Sequence, residues 1–319
     1  MIIHNIMTKS FGVLYIIPIF TIFSAGATPL APDVAIANAR TNCGAISQSF
    51  GAMKTMAKIN TAVTGVGTAA GAGATIVGIA KTSVDKQLEK LINDVQQRED
   101  MGGATGISID DGQDFIDQTM ELVYSTTKSD DTKNELEQRS KNLGNWRTGL
   151  LAGSTATNIA GTVIAATNQT DQDLRTQLDN CIKSIADLRD TRTQAQINNT
   201  DSATLQKLDN IINACAGYDT LDISKIDTKA KNAGIASGVG IATGLAGTIT
   251  SATANSNKIR NDDTESGISK EKNLNAASNV LAAGTTVASG VATVFNAQQI
   301  NTLQRAQKIA TQCFEALNQ

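Results

Sequence analysis

Four cysteines, Cys43, Cys181, Cys215 and Cys313, carry the most definite chemistry in this chain of 319 residues. Their even number predicts two disulfides if the chain enters an oxidising compartment. An export signal supplies that condition. Lys9 precedes the apolar run FGVLYIIPIF, and the small residues Ala25, Gly26 and Ala27 follow it, which places cleavage after Ala27 and the mature chain in a periplasm or outside the cell. The apolar run, roughly a dozen residues, falls short of the ~20 that a retained spanning helix needs.

Other reactive combinations lead nowhere. The only histidine, His4, falls in the predicted signal, so the mature chain has no imidazole for a triad, a zinc site or a general base. Ser83 and Lys86 have the S-x-x-K spacing, but no K-T-G accompanies them and a helical surface pair is the plainer reading. DDGQD at 110–114 lacks the alternating acidic order and the later Glu of a calcium loop, which leaves a solvated loop or cap. GVGTAAG and GVGIATG lack the third glycine of a dinucleotide fingerprint, and no G-K-[ST] follows. A net charge of -3 with scattered Lys and Arg offers nucleic acid no basic stripe. The expectation is a non-enzymatic protein with no catalytic residue, no cofactor and no metal.

The elements that must position the cysteines read as helices. Aromatics are 3% and prolines three, while Ala, Thr, Gln and Leu abound, a composition that favours long helices over sheets. Leu88, Leu91, Ile92 and Val95 recur at helical spacing. Leu174, Leu178, Ile182, Ile185 and Leu188 form a second such stripe, and Leu303, Ala306, Ala310, Cys313 and Leu317 a third, with Cys181 lying on the second. Long helices are predicted near 46–98, 130–196, 203–215, 225–260 and 268–317.

A repeat organises them. TGVGTAAGAGATI at 64–76 returns as SGVGIATGLAGTI at 237–249, and KNLGNWRTGLLAGSTATNIAGTV from 141 resembles KNLNAASNVLAAGTTVASGVATV from 272. Cys43 precedes Gly67 by 24 residues and Cys215 precedes Gly240 by 25. The predicted fold is all-α, an elongated antiparallel bundle of two related helical hairpins made by tandem duplication. The boundaries are a signal at 1–27, a first half at 28–200 and a second half at 201–319. An inserted loop and short helix near 99–130, with Phe115, Ile116, Met120 and Val123 on one face, distinguish the first half. If each hairpin is antiparallel its two cysteines reach the same end, which favours Cys43 with Cys181 and Cys215 with Cys313; if all four sulfurs gather at one end, the alternative is Cys181 with Cys215 across the NNTDS turn and Cys43 with Cys313 at the chain ends.

Glycine inside a helix costs roughly 0.8 to 1.0 kcal/mol relative to alanine, so its density here needs an offset. Close packing of helices supplies one: Gly65, Gly67, Gly71, Gly149, Gly153, Gly238, Gly240, Gly244, Gly284 and Gly290 are expected to line a small-residue Ala/Gly/Thr core. Trp146 is expected to plug a gap against a neighbouring helix. The charge-free segments 59–80, 148–170, 232–257 and 273–304 also carry small-xxx-small spacing, as transmembrane helices do. Of residues 61–80, however, only Val63, Val66, Ile76, Val77 and Ile79 are large and apolar, which argues for a soluble core. The expected role is a structural or interaction protein that self-associates or holds a protein partner. The alternative is a membrane-active or pore-forming protein whose hairpins insert into bilayers.

Overall fold

In the computed structural model the described residues are 30–104, 112–256, 259 and 264–319, with the side chains of 94–130 and 265 left out. The predicted signal with His4, the first two residues of DDGQD and the apolar side chains expected in the insertion lie outside this description; the rest of DDGQD, 112–114, is helical backbone. The described residues form helices and no strands: α1 (Pro32–Cys43), α2 (Ile46–Ala104), α3 (Gly112–Thr167), α4 (Gln172–Ile197), α5 (Ser202–Cys215), a 3-10 turn (Ala216–Thr220), α6 (Ile223–Ala254) and α7 (Glu265–Leu317). At about 1.5 Å per residue, the 59 residues of α2 extend about 88 Å.

Three elements differ from expectation. The helix predicted over 130–196 is broken at 168–171, where the Asp171 side chain accepts the Leu174 N–H at 2.7 Å and starts α4 afresh; an N-cap of this kind satisfies a donor that no helical carbonyl reaches. The insertion forms no separate helix in the described residues, because α2 continues to Ala104 and α3 begins at Gly112. And α1 was not anticipated. It opens with Pro32 at its first position, where a missing N–H is harmless, and buries Ala35, Ile36, Ala39 and Cys43 on one face.

The long helices pack in a ring in which α2 and α6 each contact α3 and α7. Paired contacts set the directions. Ser154 reaches Gly67 and Ser140 reaches Asp85, so α3 runs against α2; Ser278 reaches Gly247 and Thr285 reaches Thr243, so α7 runs against α6. This ring is the shaft. At one end it meets a head built from α1, α4, α5, the 3-10 turn and the adjoining ends of α2, α6 and α7. The head has an ordinary apolar core that includes Phe50, Leu178, Ile185, Leu188, Leu208, Ile211 and Leu303. Both disulfides lie in it, Cys43–Cys181 and Cys215–Cys313, with Cα–Cα distances of 4.8 and 4.4 Å. Arg192 and Asp209, paired at 2.8 Å, tie α4 to α5 on the outside.

Candidate functional site

The shaft is built the other way round from the head. Within 59–80 of α2, 148–166 of α3, 232–252 of α6 and 274–297 of α7, each exposed residue is Ala, Gly, Val, Ile or Leu. Val280 is 72% exposed and Ile76 67%. The interior is polar instead: Asn60, Thr64, Ser154, Thr155, Asn158, Ser237, Ser251, Ser278, Thr285, Ser289 and Asn296 are all buried. Ala74, Leu151 and Ala282, with Leu150 against them, form a small apolar cluster in the described shaft, and its other fully buried apolar side chains, such as Ala165, Ala233 and Ala292, are alanines.

These polar groups are stacked as a column along the bundle axis. Nearest the head, Gln299 donates to the Asn168 carbonyl at 3.2 Å. One level further, Asn60 Nδ2 donates to Asn296 Oδ1 at 3.0 Å, and Thr293 donates to Thr64 at 3.0 Å. Mid-shaft, Ser289 donates to Asn158 Oδ1 at 3.0 Å. Beyond it, Thr148 and Ser251 share a hydrogen bond of 2.8 Å. Asn158 Nδ2, Ser237 Oγ, Asn168 Oδ1 and Asn60 Oδ1 are buried without a partner. From Asn275 to Asn296 on α7 the column is about 32 Å long at helical rise.

A charged cluster closes its far end. Lys81, 1% exposed, donates to Asp85 Oδ2 at 2.7 Å and to Glu271 Oε1 at 3.1 Å. Ser140 donates to the other oxygen of Asp85 at 2.6 Å. Arg147, fully buried, donates to the Asn275 carbonyl at 2.9 Å. Two cations placed inside a bundle demand partners, since an unpaired buried charge is prohibitive; Asp85 and Glu271, each partly exposed, meet that demand for Lys81.

The expected glycines divide by phase around their helices. A Cβ added to Gly71 would stand 2.8 Å from Thr286 Oγ1, one on Gly244 2.3 Å from Thr155 Oγ1, and one on Gly240 2.7 Å from Asn158 Nδ2. Gly67 meets Thr157 in the same way, while Gly284 and Gly290 make only ordinary contacts. Gly65, Gly149, Gly153 and Gly238 face open space. These four are not helix-packing residues. Gly149 and Gly153 are four apart and share a face, but it is the outer one. Trp146, 69% exposed, plugs no gap and stands at the outer rim beside the buried Arg147. Ser83 and Lys86 are both exposed on α2. Sequence reasoning missed Gly78 and Gly161, which close on Asn279 and Thr64, and the whole polar column; Asn60, Thr64, Gly67 and Gly71 recur at one helical phase, a signal available once polar and small residues are read together. The chain matches no protein-family model, and no curated protein or solved structure is similar to it.

Proposed function

We propose that this is a membrane protein whose four long helices cross the bilayer as one bundle, with the disulfide-tied head on the oxidising side. The observation that carries this reading is the inverted polarity of the shaft. In water, a bundle places apolar residues inside; in hydrocarbon, apolar residues face lipid, and small and polar residues hold the helices together. Val66 and Ile76 of α2, Ile159 and Val163 of α3, Ile235 and Ile249 of α6, and Val280 and Val287 of α7 are all exposed. Full burial of such a side chain stabilises by about 1.5 to 3 kcal/mol, so covering the half-exposed belt is worth on the order of 10 kcal/mol.

Length supports the same reading. Residues 59–80, between Lys58 and Lys81, extend about 33 Å, against a hydrocarbon core of about 30 Å. All four helices are long and apolar enough to cross a membrane. Trp146 at the rim, beside Arg147, has the amphipathic character that favours the headgroup level. A soluble interaction protein would need partners to cover the same belt. Because the belt continues around all four helices, one docked face would leave much of it wet, whereas a bilayer covers every side.

The reading extends to the architecture: a duplicated hairpin, with a core of glycine, alanine and hydroxyl residues where the two copies meet. Two internal pairs support it. Asn158 meets Ser289 and Asn168 meets Gln299, each pair 131 residues apart, the spacing between Gly153 and Gly284 in the repeated text. Residues on a two-fold axis would meet their own counterparts in this way. Gly71 against Thr286 and Gly244 against Thr155 form one contact with the halves exchanged.

Flotation of the purified full chain with vesicles of phosphatidylcholine and phosphatidylglycerol tests the assignment, followed by proteolysis. The expected result is co-flotation that survives alkaline carbonate, with the segments 59–80, 148–166, 232–252 and 274–297 protected. A chain that stays monodisperse in detergent-free buffer and does not float would refute it.

A further inference from the structure

We infer that the seam between the two halves is a permeation path: in the bilayer, the two disulfide-tied hairpins part along it and admit water and small inorganic ions of either sign. This rests on the membrane reading above and adds to it a cargo and a way of opening.

The covalent ties leave this seam free. Cys43–Cys181 joins α1 to α4, and Cys215–Cys313 joins the end of α5 to α7. Each bond braces one half at its base, and neither crosses to the other half. With the head held as one apolar core that includes residues of both halves, the motion these ties leave open is parting of the two hairpins along the shaft.

Along the middle of the seam the polar contacts between halves join side chain to side chain: Asn60 to Asn296, Thr64 to Thr293, Asn158 to Ser289. Backbone is reached across the seam only toward its two ends, where Gln299 donates to the Asn168 carbonyl and Arg147 to the Asn275 carbonyl. A side-chain pair can exchange its partner for water without disturbing a helix. The closed seam also leaves Asn158 Nδ2 and Ser237 Oγ buried and unpaired; water entering an opened seam would satisfy both, which lowers the free energy of opening.

The lining sets the class of cargo. Over the charge-free stretches the column offers hydroxyls and carboxamides, groups that both donate and accept, so anions and cations are solvated alike. At the far mouth Lys81 is held by Asp85 of its own helix and Glu271 of the other half. Parting the halves breaks the Lys81–Glu271 and Arg147–Asn275 bonds and keeps Lys81 with Asp85, which leaves two cations and two carboxylates at the mouth and so no net charge to select either ion.

Two cysteine pairs distinguish opening between halves from opening within them. Thr64→Cys with Thr293→Cys locks the seam at a site where the two hydroxyl oxygens are 3.0 Å apart. Thr243→Cys with Thr285→Cys locks α6 to α7 within one half, from oxygens also 3.0 Å apart. A second seam lock, Thr148→Cys with Ser251→Cys across 2.8 Å, guards against failure of the first. Each full chain is reconstituted in phosphatidylcholine–phosphatidylglycerol vesicles loaded with potassium chloride, with insertion scored by protease protection and efflux of both ions recorded. Unlocked protein and the within-half lock are expected to release both ions at similar rates. The seam locks are expected to slow release about tenfold or more, because a locked closed state depletes the conducting population. Inserted protein that releases no ions overturns this inference and leaves the membrane assignment standing, as do seam locks that conduct like the unlocked chain or release confined to one ion. Failure to insert overturns both.

Discussion

Substituting alanine for Gly71 and for Gly149 makes the same chemical change on two faces of the bundle, and the structure assigns the two substitutions opposite signs. Each glycine lies inside a long helix, so each substitution gains about 0.8 to 1.0 kcal/mol in helix propensity. At Gly149 nothing lies within 4 Å of the new Cβ, and the gain stands alone. At Gly71 the new Cβ would stand 2.8 Å from Thr286 Oγ1 and 3.2 Å from the Thr286 Cα and N. A hydroxyl can rotate away, but backbone atoms move only if α7 moves. Overpacking of this kind costs about 1 to 3 kcal/mol, so Gly71→Ala should be less stable than Gly149→Ala by about that amount. Gly244→Ala, whose close contact is the Thr155 hydroxyl, should fall between them. Denaturation in one mild detergent, followed by circular dichroism, measures all three. Equal stability of Gly71→Ala and Gly149→Ala would show that the inner and outer faces of the shaft are wrongly assigned.

Three further outcomes follow from the head and the rim. Replacing Cys43 and Cys181 together by alanine opens a tie spanning 138 residues and should destabilise by up to about 5 kcal/mol in the chain-entropy model, read by denaturant titration; a loss below about 1 kcal/mol would contradict that model here. Tyr218 is buried with no partner for its hydroxyl, so Tyr218→Phe should stabilise by about 1 kcal/mol at neutral pH. Burial also pushes the Tyr218 ionisation upward. The folded chain then keeps a proton that the unfolded chain loses, so this contribution is intact below the unfolded tyrosine pKa of about 10 and is lost as pH rises above it. Stability of Tyr218→Phe should decline less steeply over that alkaline range than that of the unsubstituted protein. Fluorescence of Trp146, the single tryptophan, should be quenched most by lipids brominated near the headgroup, and insensitivity to every brominated lipid would remove it from the interface.

Periodicity was enough to read the long helices, and spacing favoured the observed partner of each cysteine over the alternative pairing. Leu174, Leu178, Cys181 and Ile185 repeat at helical intervals whatever surrounds them, and antiparallel hairpins bring Cys43 to Cys181 without reference to solvent. Direction around the helix is a different kind of information. Gly149–Gly153 and Gly67–Gly71 have identical spacing, yet the first pair faces outward and the second inward, and only the neighbouring helices fix that phase. The break at 168–171 did carry a local mark in Asp171, whose capping bond to Leu174 outweighs a periodic pattern that continues across it.

The polarity of the shaft was obscured by averaging. In α2 the outer positions Val66, Ile76 and Ile79 alternate by turns with the buried Asn60, Thr64 and Gly71, so a count of large apolar residues along the helix mixes outward-facing with interior positions and understates how apolar the outer face is. The same mixture taken face by face has an apolar exterior and a hydrogen-bonding interior. In the head, α4 presents the opposite arrangement, with Leu174, Leu178, Ile185 and Leu188 buried and Arg175 and Arg189 on its outer side. One chain thus carries two solvation patterns, joined where Asn168 and Gln299 begin the polar column and Asp171 begins α4. The proposed boundary between water and hydrocarbon at that level would account for both patterns at once, since head and shaft would each turn toward their surroundings the residues that those surroundings solvate.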